Sequence, residues 1–303
     1  MPQGLIVKAL SGYYYVLPDS EPASGSLEER LVQCRARGIF KKNKISPLVG
    51  DRVLFELTEN GEGTVDELFP RTTELIRPPV ANVNQAVLVF SLAEPDLNLP
   101  LLDKFLVFVE HAGMDAVLCL TKRDLLDEDG QREMVEAARL YEAIGYAVFV
   151  TSALQGEGVT PLMKLLEGTI SVVSGQSGVG KSTLLNALVP GLNLATNEIS
   201  NKLGRGKHTT RHVELVPLDG GGWIADTPGF SQLDFVQLEP EELGSCFREF
   251  KGYAAGCRFR GCVHDQEPGC LVREAVEAGN IASSRYRSYM AFLAEMRDRK
   301  RRY

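Results

Sequence analysis

Residues 170–188 read ISVVSGQSGVGKSTLLNAL: an apolar, β-branched run, a glycine-rich turn, then a helical pattern. Within it Gly175 to Ser182 fits G-x-x-x-x-G-K-[ST]. A strand before and a helix after are the context this phosphate-binding motif requires. Its glycines let the backbone wrap closely around phosphate oxygens. The N–H groups of Gln176, Ser177, Gly178, Val179 and Gly180, with the helix N-terminus, supply positive potential. Lys181 is placed to bridge the β and γ phosphates and Ser182 to hold magnesium, with Thr183 completing the nucleotide-binding set.

Working outward, WIADTPG is an apolar strand running into Asp226-Thr-Pro-Gly229. A carboxylate at the end of such a strand is placed to hold magnesium through water, and the Gly229 amide to meet the γ phosphate. Between the two motifs lies GRGKHTTR, Gly204 to Arg211, in which Thr209 or Thr210 can close on the metal when the γ phosphate is present. The residues do not choose between the two threonines. Upstream, Thr121-Lys122-Arg123-Asp124 follows the strand-like DAVLCL and is similar to the guanine-selecting N/T-K-x-D motif. Asp124 can accept two hydrogen bonds from guanine N1 and N2, which adenine cannot offer. The usual first residue is Asn; Thr121 there is expected to weaken the side-chain link to the base and to the neighbouring loop. Thr151-Ser152-Ala153, ending YAVFVTS, matches the last base-contacting loop, where a backbone amide meets guanine O6.

The base-reading motifs therefore precede the phosphate loop, the reverse of an ordinary small G protein. This order reads as a circular permutation, which preserves a site when the old termini are close and the new ones lie in exposed loops. Around it, residues 4–69 offer five short strand-like runs, GLIVKAL, YYYVL, RLVQCRARG, DRVLFELT and GEGTVDELF, the grammar of a small barrel. Residues 19–26 read as a loop, and Arg71 to Val80 as a linker closed by two prolines. After Val80, strands alternate with amphipathic helices, predicting a mostly parallel sheet. Past Phe235 the strands stop, and the last helix is expected over Ser283 to Arg299.

The 303 residues are 44% hydrophobic and 24% charged, enough for two or three compact domains. No run approaches the apolar length of a membrane span, and the first residues lack a secretory pattern, so a cytoplasmic chain is expected. A net charge of -7 directs any contact with nucleic acid to local basic patches. Residues 30–52 carry a balance of +6 and residues 285–303 one of +5. Three of the six cysteines crowd with a histidine into fourteen residues: Cys257, Cys262, His264 and Cys270, spaced C-x4-C-x-H-x5-C. Three thiolates and an imidazole are the set for a closed, structural zinc site. Cys34, Cys119 and Cys246 lie on strand or helix text and read as core.

The barrel, the permuted motif order, GRGKHTTR, DTPGF and the cysteine–histidine cluster together resemble the ribosome small subunit-dependent GTPase family (RsgA, YjeQ, YloQ). The resemblance spans essentially the whole chain. It implies an N-terminal OB-fold over residues 1–70, a permuted α/β P-loop GTPase domain over 71–235, and a helical zinc domain over 236–303. It further implies a late-acting assembly factor of the small ribosomal subunit, contacting its rRNA, with GTP hydrolysis stimulated by that subunit. Phe230 stands where ordinary small G proteins carry a water-positioning Gln, so another group must orient water; His208 is the candidate, with a solvated or RNA-contacting histidine as the competing role. The phosphate loop carries Gly178 where potassium-dependent G proteins carry Asn. Three function classes remain in competition on the residues: a GTP-driven assembly factor, a metabolic kinase, and a nucleic-acid-binding module regulated by nucleotide. A monomer is expected.

Overall fold

The computed structural model describes residues 1–20, 25–76, 78–189, 192, 213–226, 235 and 238–302, apart from the side chains of Lys41, Asp226, Arg301 and Arg302. In chain order these form β1 (Gln3–Leu10), β2 (Tyr13–Pro18), α1 (Leu27–Arg30), β3 (Val32–Ala36), α2 (Gly38–Lys42), β4 (Arg52–Leu57), β5 (Gly63–Leu68), β6 (Glu74–Ile76) and β7 (Pro79–Ala81). There follow β8 (Gln85–Ser91), α3 (Leu99–His111), β9 (Asp115–Thr121), α4 (Glu128–Ile144), β10 (Ala147–Val150), α5 (Val159–Leu166), β11 (Ile170–Ser174) and α6 (Lys181–Leu188). The remainder comprises β12 (Val213–Pro217), β13 (Trp223–Asp226), α7 (Lys251–Ala254), α8 (Leu271–Glu277) and α9 (Ser283–Arg302). The chain divides into two compact units: Met1–Ala86 with Val159–Ser177 and Lys181–Phe230, and Val87–Gly158 with Gly178–Gly180 and Ser231–Tyr303.

In the first unit the five expected barrel strands all form. β1 pairs with β2 and β4, β2 with β3, β3 with β5 and β5 with β4, so the strands close on themselves. Inward positions are apolar at the two-residue period of a strand, and Ile6, Val16, Cys34, Val53, Phe55 and Val65 are wholly buried. Each such side chain contributes about 1.5–3 kcal/mol. A register shift between Ile6 and Lys8 divides β1. Residues 3–5 pair with β4, while Lys8 and Ala9 pair with Glu214 and Val213 of β12. β12 in turn lies antiparallel to β13, and β13 parallel to β11. β11 is buried at every position, as a strand covered on both faces must be.

The expected linker is a correction. Residues 71–80 contain β6, which forms an antiparallel hairpin with β7, and Arg71 is anchored by Asp51, which is wholly buried. The Arg71 guanidinium donates to both Asp51 oxygens at 2.7 Å, to Glu74 and to the Ser46 carbonyl, a fork that holds the segment to the barrel. Gly50 explains the tight approach: at φ +90°, a Cβ there would sit 2.0 Å from the Ala81 carbonyl oxygen. The helices α1 and α2 and the strand β12 have no counterpart among the expected elements; Ser26 starts α1 through a capping box with Glu29.

In the second unit the strands run in the order β10–β9–β8, with β9 and β10 parallel. Asn98 caps α3 by accepting from the Leu101 amide at 3.0 Å, and Asp127 caps α4 from the Gly130 amide at 2.8 Å. The C-terminal helices bury Phe247, Phe250, Ile281, Tyr289 and Leu293 together with Val107 of α3. Among these apolar groups lies a charged cluster. Arg285, 1% exposed, grips Glu249 with two donors at 2.7 and 3.2 Å and also donates to Asp103, which accepts from Tyr141 at 2.7 Å. No helix among the described residues is long and apolar enough to cross a membrane.

Candidate nucleotide site and metal centre

The phosphate loop joins β11 to α6, as the residues 170–188 predict. In the first unit, Lys181 turns its ammonium back onto its own loop, donating to the carbonyls of Gly175, at 2.8 Å, and Gln176. Partial burial lowers its pKa, because a desolvated ammonium loses hydration that only an anion or these carbonyls can replace. Ser182 is buried at the start of α6. Gln176, Ser177 and Gly178 are exposed, leaving the loop backbone open to a ligand.

The crown of the loop, Gly178–Gly180, belongs to the second unit, and there it meets the base-reading motif. Gly178 and Gly180 adopt φ of +82° and +89°, the left-handed region that favours glycine. Thr121, at the end of β9, donates from Oγ1 to the Val179 carbonyl at 2.6 Å. With Thr in place of Asn, the base-reading motif is still linked to the phosphate loop, through this one hydrogen bond. Lys122 has φ +61° and donates to the Glu94 carbonyl. Asp124 is exposed in the 3-10 turn Arg123–Leu125. That turn is tied to the next loop by the Arg123 amide, which donates to the Thr151 carbonyl at 3.3 Å. Ser152 is wholly buried, its amide bonded to Glu157, and its hydroxyl has no partner among the described residues. Ala153 follows, half-buried. The loop from Leu92 to Asn98, which the motifs do not flag, also lines this place: Pro95 Cδ lies 3.9 Å from a Cβ built on Gly178. His208, Thr209, Thr210 and Gly229 lie outside the described residues, as does the side chain of Asp226, whose backbone pairs with Glu214 at the end of β13.

Cys257, Cys262, His264 and Cys270 come together in the second unit, their ligand atoms all within 4.8 Å of one another. His264 Nδ1 lies 3.3 Å from Cys270 Sγ and 3.7 Å from Cys257 Sγ, and the two sulfurs are 4.0 Å apart. These separations fit the edges of a tetrahedron about a zinc ion bonded at about 2.0–2.3 Å. Burial pushes the Cys262 thiol up to about 12, raises that of Cys270 and lowers the His264 imidazole. The protein alone thus favours neutral ligands; a divalent ion supplies the charge that displaces the thiol protons. Second-layer groups hold the loop, and cysteine spacing does not reveal them. Glu267 accepts from the Val263 and Asp265 amides, while Tyr286 and Tyr289 of α9 donate to the His264 and Val263 carbonyls. The two tyrosines sit three residues apart on one helix face, which is the signal that could have found them. Cys34, Cys119 and Cys246 are buried in cores, as expected.

The basic stretches are less positive than their sequence counts. Arg37 pairs with Glu56 and Asp66, and Arg52 with Asp19, acids that all come from outside residues 30–52. At the other end, Arg285 is core, Arg297 pairs with Asp265 at 2.7 Å and Lys300 with Glu239 at 3.1 Å.

Comparison with known proteins adds to this geometry. The family model described as RsgA GTPase matches residues 68–236, and that described as RsgA N-terminal domain matches residues 3–65. A relative from Bacillus cytotoxicus, named small ribosomal subunit biogenesis GTPase RsgA, is 54% identical over 304 residues, covering 100% of both chains. Another of the same name, from Geobacillus kaustophilus, is 54% identical over 303 residues, again covering 100% of both chains. Among solved structures, YloQ, described as a circularly permuted GTPase, is 45% identical with a TM-score of 0.86, over 100% of this chain and 97% of that one. YjeQ from Thermotoga maritima is 37% identical with a TM-score of 0.86, over 97% and 98%.

Proposed function

Because the chain belongs to the RsgA GTPase family and is a GTP hydrolase, we propose that it acts in late maturation of the small ribosomal subunit, binding that subunit's rRNA and hydrolysing GTP faster when bound to it. The observation that carries the nucleotide assignment is the bond from Thr121 to Val179. It joins the base-reading motif to the phosphate loop across 58 residues of sequence, inside one unit. A metabolic kinase has no need of that junction, nor of a guanine-selecting carboxylate beside it.

In this reading Asp124 accepts from guanine N1 and N2, the Ser152–Ala153 backbone meets O6, and Lys122 flanks the base. Gly175 to Gly180 wrap the phosphates with backbone donors, Lys181 bridges the β and γ oxygens, and Thr183 follows in the first helical turn. Ser182 and Asp226, with Thr209 or Thr210, would hold magnesium, which when bound neutralises charge on the phosphate oxygens. Gly229 offers its amide to the γ phosphate. His208 orients the attacking water when the subunit is bound. Zinc held by Cys257, Cys262, His264 and Cys270 is structural, because four protein ligands leave no position for water.

The three functional regions are 1–70, 71–235 and 236–303. The outer two contact rRNA through the basic residues of 30–52 and 285–303 that lie on their surfaces, and the protein works as a cytoplasmic monomer. Turnover measured with and without purified small subunits tests the function: acceleration is expected, and a rate unmoved by saturating subunits would reject it. Displacement of labelled GDP tests the base: GTP should compete, and ATP competing equally would reject guanine selectivity. In the same assay, His208→Ala should lower only the subunit-stimulated rate.

A further inference from the structure

Thr121 stands where the nucleotide-reading motif ordinarily carries an amide side chain, and its surroundings decide what a hydroxyl does there. It is 3% exposed. Its Oγ1 has two oxygen neighbours, the Val179 carbonyl at 2.6 Å and the Phe90 carbonyl at 3.3 Å. Both are acceptors. A Cβ built on Gly180 would lie 3.7 Å from the same oxygen, so the loop crown packs directly against it. A hydroxyl has one proton, whereas an amide has two donors and an acceptor. With the proton committed to Val179, Thr121 offers only lone pairs elsewhere. The groups a guanine presents beyond its N1 and N2 edge, N7 and O6, are themselves acceptors. Lone pair facing lone pair forms no bond.

We propose that Thr121 is a positioning residue that fixes the crown of the phosphate loop through Val179 and makes no hydrogen bond to the base, so that purine N7 goes unread by this side chain. An Asn at the same place could hold the loop and donate to N7 together; the threonine does the first task alone. The inference rests on the guanine reading proposed above. It also separates two effects that the amide merges. Losing the hydroxyl loosens the grip on phosphate, common to GDP and GTP, and leaves the choice of base to Asp124.

The test compares binding of GDP with that of 7-deaza-GDP, in which a carbon replaces N7. The unmodified chain should bind the two within about twofold, while Thr121→Asn should prefer GDP by about tenfold, the worth of one hydrogen bond. An unmodified chain that loses as much with 7-deaza-GDP as the Asn variant does would overturn the proposal. Thr121→Val, which keeps the shape and removes the proton, should weaken GDP and GTP alike by about tenfold. Thr121→Ser should restore binding to within about twofold, and guanine preference over adenine should hold in both. Val binding GDP as tightly as the unmodified chain would also overturn it. Should Thr121→Val fail to fold, the 7-deaza comparison on the unmodified chain decides alone. Loss of the guanine reading itself shows differently, as ATP displacing GDP.

Discussion

The phosphate loop and the cysteine–histidine loop are both short, glycine-containing segments that gather ligand-competent groups, yet they are built in opposite ways. Between Gly175 and Ser182 the ligand-facing groups are backbone amides, and the loop is shaped by glycine dihedrals and a few bonds such as Thr121 to Val179 and Lys181 to Gly175. Between Cys257 and Cys270 the ligand-facing groups are side chains, and the backbone is spoken for by Glu267, Tyr286 and Tyr289. A loop that offers its backbone can release and rebind a diffusible ligand without unfolding. A loop that offers thiols at the edge of a core would make an ion part of that core: Cys270 is 3% exposed and packs in one cluster with Phe250 and Val272, while Cys257 and Cys262 are half-buried.

The largest effect that could break this contrast is removal of the metal. Zinc binding is worth about 10 kcal/mol or more in small zinc sites. Chelation, or Cys270→Ser, should melt the C-terminal helices, read as lost ellipticity with one zinc released per chain. Retention of a sharp thermal transition would show that the aromatic core suffices. Zinc affinity should also fall as pH is lowered, because burial keeps the thiols of Cys262 and Cys270 protonated well above neutrality and protons then compete more strongly with the ion.

Next is the scaffold under that loop. Arg285→Met leaves Asp103 and Glu249 without their shared cation and should cost about 3–5 kcal/mol in chemical denaturation. The phosphate loop should behave in the reverse sense. Lys181→Ala should reduce GDP affinity by about a hundredfold, the scale of a lost charge-assisted contact, with no fall in thermal midpoint. In the free protein that ammonium is held at a desolvation cost and its loss is no injury to the fold. The smallest effect is Gly180→Ala. Among the described residues no atom comes closer than 3.7 Å to the added methyl, which leaves the strain of φ +89°, about 1 kcal/mol, read as a few-fold loss in GDP binding by calorimetry.

Much of this organisation is written locally in the chain. The barrel strands, the alternation after Val80 and the phosphate loop all depend on patterns of two, three or four residues, and the elements form where those patterns lie. The gathering of the cysteines and His264 follows from spacing within fourteen residues. What was illegible depends on distant partners. Residues 71–80 look like a linker until Arg71 meets a wholly buried Asp51, and Arg285 counts toward a basic C-terminal stretch until it proves to be core. The bond from Thr121 to the phosphate loop is hidden for the same reason. Its bond is to a carbonyl, and carbonyls are carried by every residue and signalled by none.

The register shift in β1 carries a consequence for dissection of the molecule. One edge of that strand is shared, its beginning closing the barrel with β4 and its end serving as the outer partner of β12. A fragment that starts after the barrel would leave β12 with a bare row of amides and carbonyls, a template for pairing with other chains. The N-terminal barrel is in that respect a guard on the sheet that carries the phosphate loop. A soluble GTPase core should therefore be sought by retaining β1, or by blunting β12 with a lysine or proline, before any residue of the nucleotide site is altered.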